Sequence, residues 1–380
     1  MSVLIVETAD YSKFLPIART RCLWDITCGI YSPRSRWESL LKNPLFHSPR
    51  FDEKPEESIN GLINSQYIPS GNYSVKSNTL SLTPDGLFIS LFSDNISLSA
   101  VEKIENNDFK TLLSSYMVQE IKTGIFLKNI SDIIKYNAEA ISLDAPIIIR
   151  GRGFKSLGKN IFIEKTAEIQ QYVSIQASGG PVIIDSGTVI RPFTIIDGPS
   201  YIGKNSLIDS AKIRNGTTIK NVCRVGGEVE ASVIESYSNK HHEGFLGHSY
   251  VGEWVNIGAM ATTSDLKNNY GEVKINNGIE IIPTGTNKFG SVIGDYSKIG
   301  IGAMLNTGTV ISEGCNLFQE NIKIPSYLEP FSWGCTGKKY EIDRFISDTK
   351  KIMKRRNVDM TLDTEKSLRK LYNNSVKEGF

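Results

Sequence analysis

The sequence predicts a mainly β protein: a parallel β-helix of six-residue repeats, preceded by a small α/β domain and followed by two helices. Three observations carry this. From about Ile148 aliphatic residues recur at every sixth position; before that point short apolar runs mix with helical spacing; after Pro325 the spacing turns helical again. The resulting boundaries are 1–140 for the α/β domain, 148–325 for the β-helix and 326–380 for the C-terminal loop and helices.

The repeat is read directly. Ile163, Ile169 and Ile175 are followed by Ile184, Ile190, Ile196, Ile202 and Ile208; after a slip of one residue come Ile213 and Ile219, and the pattern reappears at Val251, Ile257, Ile293, Ile299 and Val310. In each six-residue unit a short strand sends one bulky side chain inward, and small residues let the chain turn to the next face. An amphipathic helix would instead place apolar residues three and four apart. Ser236–Gly247 and Thr262–Glu280 interrupt the repeat, which predicts loops leaving the coil there and lining a binding face.

In the N-terminal part, Val3–Val6 and Leu87–Phe92 read as strands, Ser32–Pro33 as a turn, 43–57 as a polar loop and Ala100–Gln119 as helical. At the other end, Glu341–Arg355 and Thr361–Val376 read as helices, and the basic run Lys350, Lys351, Lys354, Arg355 and Arg356 as a solvated face or a cap on the β-helix.

Composition narrows the function. Forty-three Lys plus Arg against 41 Asp plus Glu leave a formal charge of +2, so no global field draws in nucleic acid or an anionic membrane. Five scattered cysteines without a CxxC pair point to buried thiols, not to a disulfide framework. The N-terminal MSVLIVETADYSKF carries acidic residues where a secretory signal has its apolar run, and no segment is long and apolar enough to span a bilayer. A cytoplasmic protein acting on small molecules is expected.

Three of the four histidines, His241, His242 and His248, fall within eight residues. Around and beyond them FLGHSYVGEWVNIGA, TSDLKNNYGEVKI, TGTVISEGCNLF and FSWG resemble the GlmU-like family, described as sugar nucleotidyltransferases with a left-handed β-helix acyltransferase domain. LPIARTR, TCGIYSPRSRWE and Ile59-Asn-Gly-Leu-Ile resemble that family's N-terminal domain. The resemblance implies a trimer with active sites between subunits, acetyl-CoA as cosubstrate and a sugar phosphate or nucleotide sugar as acceptor.

Residue by residue, the resemblance places the family's acetyltransferase base on His242, its sugar-contacting Asn on Asn256 and its phosphate-binding Arg on Arg214. A sugar-binding Tyr becomes Phe245, which keeps the ring without the hydroxyl, and a sugar-contacting Lys falls near Ser232. The segment that meets acetyl-CoA is similar to Asn269, Tyr270 and Lys274.

Transfer to an amine requires a base for the proton released during attack and a donor for the developing oxyanion. Imidazole suits the first task, and backbone N–H groups near Gly244 the second. A polar loop histidine is the bland reading of His242. A zinc hydratase site built from the clustered histidines, with His47 as the one outside them, is another alternative. In the N-terminal domain Arg19 and Arg21 are candidates for nucleotide phosphate and Asp25 for Mg²⁺ if that domain is active. Sugar-1-phosphate nucleotidyl transfer and a non-catalytic sugar-nucleotide binding or assembly role therefore also stay open.

Overall fold

The computed structural model describes residues 2–8, 11–42, 59–71, 73–150, 153–318 and 324–377. The polar loop expected over 43–57, His47 included, lies outside the described residues.

The six-residue periodicity becomes a β-solenoid of about 9 turns. Each turn has three short strands, and equivalent strands of successive turns pair in parallel. The first face runs from Ile161–Glu164 through Val182–Ile184, Thr217–Ile219 and Val233–Ile234 to Tyr327–Leu328. The second includes Val189–Ile190, Asn239–Lys240 and Asn256–Ile257, and the third Ile195–Asp197, Phe245–Gly247 and Thr262–Thr263. Ile184, Ile190, Ile196, Ile202 and Ile208 are completely buried in one column core with Ile213, Ile219 and Ile293. Each such side chain contributes about 1.5–3 kcal/mol. The corners from first to second face put bulky residues into left-handed backbone, as at Trp254 with φ 58° and Tyr296 with φ 62°.

Two expectations about the interruptions change. Residues 236–247 stay in the coil: Asn239–Lys240 and Phe245–Gly247 are ordinary coil strands, and 241–244 forms the corner between them. The segment that does leave the coil is 264–290, whose hairpin of Lys274–Asn276 and Ile281–Pro283 folds onto the N-terminal domain. Val273 and Ile275 are buried there beside Phe14 and Ile17, and Asn277 Nδ2 donates to Ser12 O at 2.8 Å.

The N-terminal domain is a five-stranded mixed sheet, Ser2–Val6 at one edge, beside Ile59–Asn64 and then Phe88–Ile96. The helix read over Ala100–Gln119 is shorter: α2 (Leu98–Glu105) ends at Asn106, a single 3₁₀ turn follows at Phe109–Leu112, and Met117–Glu120 adds a parallel edge strand. Asn107, in left-handed backbone at φ 56°, stops the helix. Ser32 caps α1 (Pro33–Leu41) and so begins a helix, with Pro33 in its first turn.

α3 (Ile130–Ile149) joins the two halves and lies along the solenoid's first face. Its capping box at Asn129 and Asp132 defines the start. Asn137 is completely buried, donates to Gly216 O at 2.7 Å and accepts from Gly29 N at 2.7 Å, tying helix, solenoid and N-terminal domain together. Asp144, also buried, takes two guanidinium bonds of 2.6 Å each from Arg36 and the N–H of Ile30. Ile148 belongs to the last turn of α3, and the first coil strand is Ile161–Glu164. At the far end α4 (Ile342–Lys354) and α5 (Leu362–Lys377) pack Phe345 and Leu368 on Phe331, covering the last coils.

Candidate functional site

Because side chains at equivalent positions stack along the solenoid, each corner presents a column, and the chemistry divides among three such columns.

The corner between second and third faces carries His241 and His242. The His242 ring is exposed and lies 5.2 Å from that of His241. The turn is held from inside: Lys240, 2% exposed, donates from Nζ to His242 O at 2.9 Å and to Gly226 O at 3.0 Å. Burial pushes the Lys240 ammonium down to about 8, against Glu243, which draws it up. His241 Nε2 sits 3.1 Å from Asp209 Oδ2, which also accepts from Arg191 at 2.8 Å. Although partial burial opposes it, these two partners keep the Asp209 carboxyl below its usual range. Tyr172, Phe193, Met260 and Ile301 occupy the same corner in other coils, 74%, 72%, 61% and 75% exposed, and Tyr172 stacks on Phe193 at 5.7 Å.

The corner between third and first faces carries Arg214 and His248. Arg214 reaches Asp197 at 3.1 Å and Glu228 at 3.2 Å. His248 Nδ1 lies 2.7 Å from Asp265 Oδ2, and that contact, more than burial, holds Asp265 below the usual carboxylate range. The backbone of His248 is left-handed at φ 45°, which turns the ring onto the carboxylate.

The residues singled out by the sequence are thus only partly brought together. Asn256 stands on the exposed side of the second face, one coil beyond His242, and accepts from Asn239 at 2.9 Å. Phe245, half-buried on the third face, pairs in register with Glu228, the carboxylate that Arg214 grips. Within one chain Arg214 and His242 lie at different corners, two coils apart. Ser232 is fully buried and donates to Glu230 O at 2.7 Å, which leaves no side chain there for a substrate. Asn269 and Tyr270 form an exposed turn, with Tyr270 70% exposed, and Lys274 is exposed on the hairpin. His248 is what sequence reasoning left unexplained; its partner Asp265 is 17 residues away in the next coil, a spacing close to one full turn, and that spacing was the available signal.

A third column lies between first and second faces, where Glu253, Asp295 and Glu313 follow the first-face strands at Val251, Ile293 and Ile311. The segment Arg19–Arg21 lies against it. Arg21 Nη2 donates to both oxygens of Asp295 at 2.7 Å and Nη1 stands 3.2 Å from Glu235. Thr20 Oγ1 donates to Asp295 at 2.6 Å, and Arg19 faces Glu313 at 3.6 Å. Arg19 and Arg21, expected to meet nucleotide phosphate, are instead engaged by solenoid carboxylates. Asp25, half-buried, has Arg34 at 3.4 Å, and among the described residues no group of three or more His, Cys, Asp or Glu is placed to hold a metal ion. Within one chain His241 and His248 each face an aspartate at separate corners and do not converge on a common ion.

Residues 3–153 match the family model described as sugar nucleotidyl transferase. The chain is 29% identical over 259 residues to the bifunctional protein GlmU of Buchnera aphidicola, a match covering 62% of this chain and 51% of that protein. It is 34% identical over 157 residues to the uncharacterized acetyltransferase YaiX of Escherichia coli O6:K15:H31, covering 40% of this chain and 68% of that one. Among solved structures, the acetyltransferase domain of PglB from Neisseria gonorrhoeae in complex with acetyl coenzyme A aligns over 81% of this chain and 94% of its own, at 8% identity and a TM-score of 0.19. The chain spans about half the length of the GlmU relative. With its sugar-nucleotidyltransferase-type domain set before a hexapeptide solenoid, the chain belongs to the GlmU-like family.

Proposed function

We propose that this protein is an acyltransferase moving an acetyl group from acetyl-CoA to the amine of a sugar phosphate or nucleotide sugar, in activated amino-sugar biosynthesis. The observation that carries the reading is an exposed imidazole, His242, on a turn held by Lys240, in a chain whose relatives include proteins named acetyltransferases. His242 accepts the amine proton as the nitrogen attacks, and near-neutral imidazole chemistry suits that step. Asn256, Phe245 and Arg214 bind the sugar and its phosphate; Arg214 exchanges its half-buried carboxylate partners Asp197 and Glu228 for the phosphate. The exposed ring of Tyr270, with Asn269 and Lys274, fits the adenine and phosphates of acetyl-CoA.

The protein works as a homotrimer in the cytoplasm. The exposed apolar side chains at the His242 corner, Tyr172 and Phe193 to one side of His242 and Met260 and Ile301 to the other, support the assembly as surface that a neighbouring subunit covers. A neighbouring subunit seated there brings its own third-to-first corner toward His242, which reunites residues that one chain keeps apart. Among the described residues no helix is long and apolar enough to cross a membrane.

A second reading assigns the base to His248, because its orienting carboxylate, Asp265 at 2.7 Å, is held more closely than the Asp209 that faces His241 at 3.1 Å. Release of CoA thiol from acetyl-CoA in the presence of glucosamine 1-phosphate and a panel of nucleotide-linked amino sugars separates the two. His242→Ala is expected to lower kcat by about 10²–10⁴-fold. Full activity in that variant, with loss in His248→Ala, moves the base to His248; full activity in both refutes the mechanism.

The nucleotidyltransferase reading rests on the family match over residues 3–153. In this chain the two arginines are held by buried carboxylates, and Asp25 has Arg34 at 3.4 Å, with burial and then nearby Glu7 raising its carboxyl. No step through Mg²⁺ is assigned.

A further inference from the structure

The carboxylate column and the Arg19–Arg21 segment form one wall of a cavity of about 1470 Å³ between the N-terminal domain and the solenoid. Its lining includes six carboxylates, among them Glu235, Glu253, Asp295 and Glu313, against four cationic side chains. We infer that this cavity binds a small carbohydrate rich in hydrogen-bond donors and without negative charge, an amino-hexose in its simplest form, and not a nucleotide phosphate.

Two observations support a ligand. Glu313 is 1% exposed, lines the cavity, and neither carboxylate oxygen accepts a hydrogen bond; its ion-pair partner Arg19 stands at 3.6 Å. A buried acceptor left in that state is unfavourable, and a hydroxyl or ammonium entering the cavity satisfies it. Glu253 presents a second carboxylate to the same space. Burial, reinforced by Asp295 and Glu235 and opposed by Arg21, lifts it to about 7.

The charge balance sets the ligand class. Arg21 is paired with Asp295 through Nη2 and with Glu235 through Nη1, and Lys220 Nζ donates to Ile30 O at 2.8 Å. A phosphate taking Arg21 would strand two buried carboxylates without a counter-ion. Tyr296, Leu371 and Ile279 on the walls offer apolar surface to the C–H face of a sugar ring. The site lies at a different corner from His242 and does not depend on the acyl-transfer reading.

Isothermal titration of the full chain with glucosamine near neutral pH is expected to show one saturable site per chain. Glu313→Gln weakens binding by about tenfold. Ile279→Trp, at a rim position 58% exposed, blocks entry without touching the ion pairs and keeps the test decisive if Glu313→Gln fails to fold. His242→Ala leaves binding unchanged, which separates this cavity from the acyl-acceptor site. No heat with glucosamine, or equal affinity in Ile279→Trp, overturns the site and leaves a cavity of water. Binding of UTP that disappears in Arg21→Ala overturns the ligand class.

Discussion

Replacing Asp295 by alanine tests whether a buried ion cluster holds the two halves of the chain together. Asp295 accepts four bonds: 2.6 Å from Thr20 Oγ1, 2.7 Å twice from Arg21 Nη2, and 2.7 Å from the N–H of Glu253. Its side chain is 4% exposed and that of Arg21 11%, so solvent screens little of the interaction. Removing one partner of a buried pair costs about 3–5 kcal/mol, mainly because the other charge stays behind. Glu235 remains 3.2 Å from Arg21, which places the expected loss near the lower limit. About 3 kcal/mol corresponds to a fall of roughly 150-fold in the folding equilibrium. Urea unfolding followed by circular dichroism and tryptophan fluorescence measures it. The double variant Arg21→Met with Asp295→Leu is expected to recover part of the loss, since of the three charges only Glu235, which accepts from the Tyr250 hydroxyl, then stays buried. A loss below about 1 kcal/mol in Asp295→Ala, or a double variant as unstable as the two single changes combined, refutes the clasp.

Three further outcomes follow from the same geometry. Glu253 has a folded pKa of about 7 against an ordinary 4.5, so the folded state binds its proton more tightly. Its contribution is full below about 4.5 and declines as pH rises toward 7, by at most about 1.4 kcal/mol per pH unit. Arg21, Asp295, Glu235 and Lys220 face it, and Glu253→Gln should exceed the parent in urea midpoint above neutrality and match it in acid; no such crossover would rule the shift out. Lys240→Met keeps the stem in the core but releases the His242 carbonyl, and is expected to lower kcat for acetyl transfer with little change in KM; a changed KM alone would mean that Lys240 serves binding. Phe193→Asp with Ile301→Asp should convert the assembly to monomers by light scattering after size exclusion, whereas an unchanged mass would place the interface elsewhere.

The solenoid was legible because its information is local. One aliphatic every six residues specifies a coil whatever lies next to it, and Ile184 to Ile208 occupy the buried column that the spacing implied. The C-terminal helices were legible for the same reason. The stretch around His242 was misread as a loop leaving the coil, because polar residues on the outside of a corner do not disturb the inward-facing residues that keep it in register. The helical pattern over Ala100–Gln119 was cut short by backbone that Asn107 turns to the left-handed region, which periodicity cannot register.

What the sequence by itself determined is the coil, the residues that line its core, and the surface positions from which His242, Asn256 and Tyr270 project. Only the tertiary structure decided which columns meet. Arg21 and Asp295 are 274 residues apart and pair because α3 lays the N-terminal domain along the solenoid's first face. No periodicity marks such a partner: ion pairing depends on distance and burial, which the chain acquires only once it has folded. The same docking sets Arg19 and Arg21 against solenoid carboxylates and leaves Glu313 at the cavity wall with Arg19 at 3.6 Å.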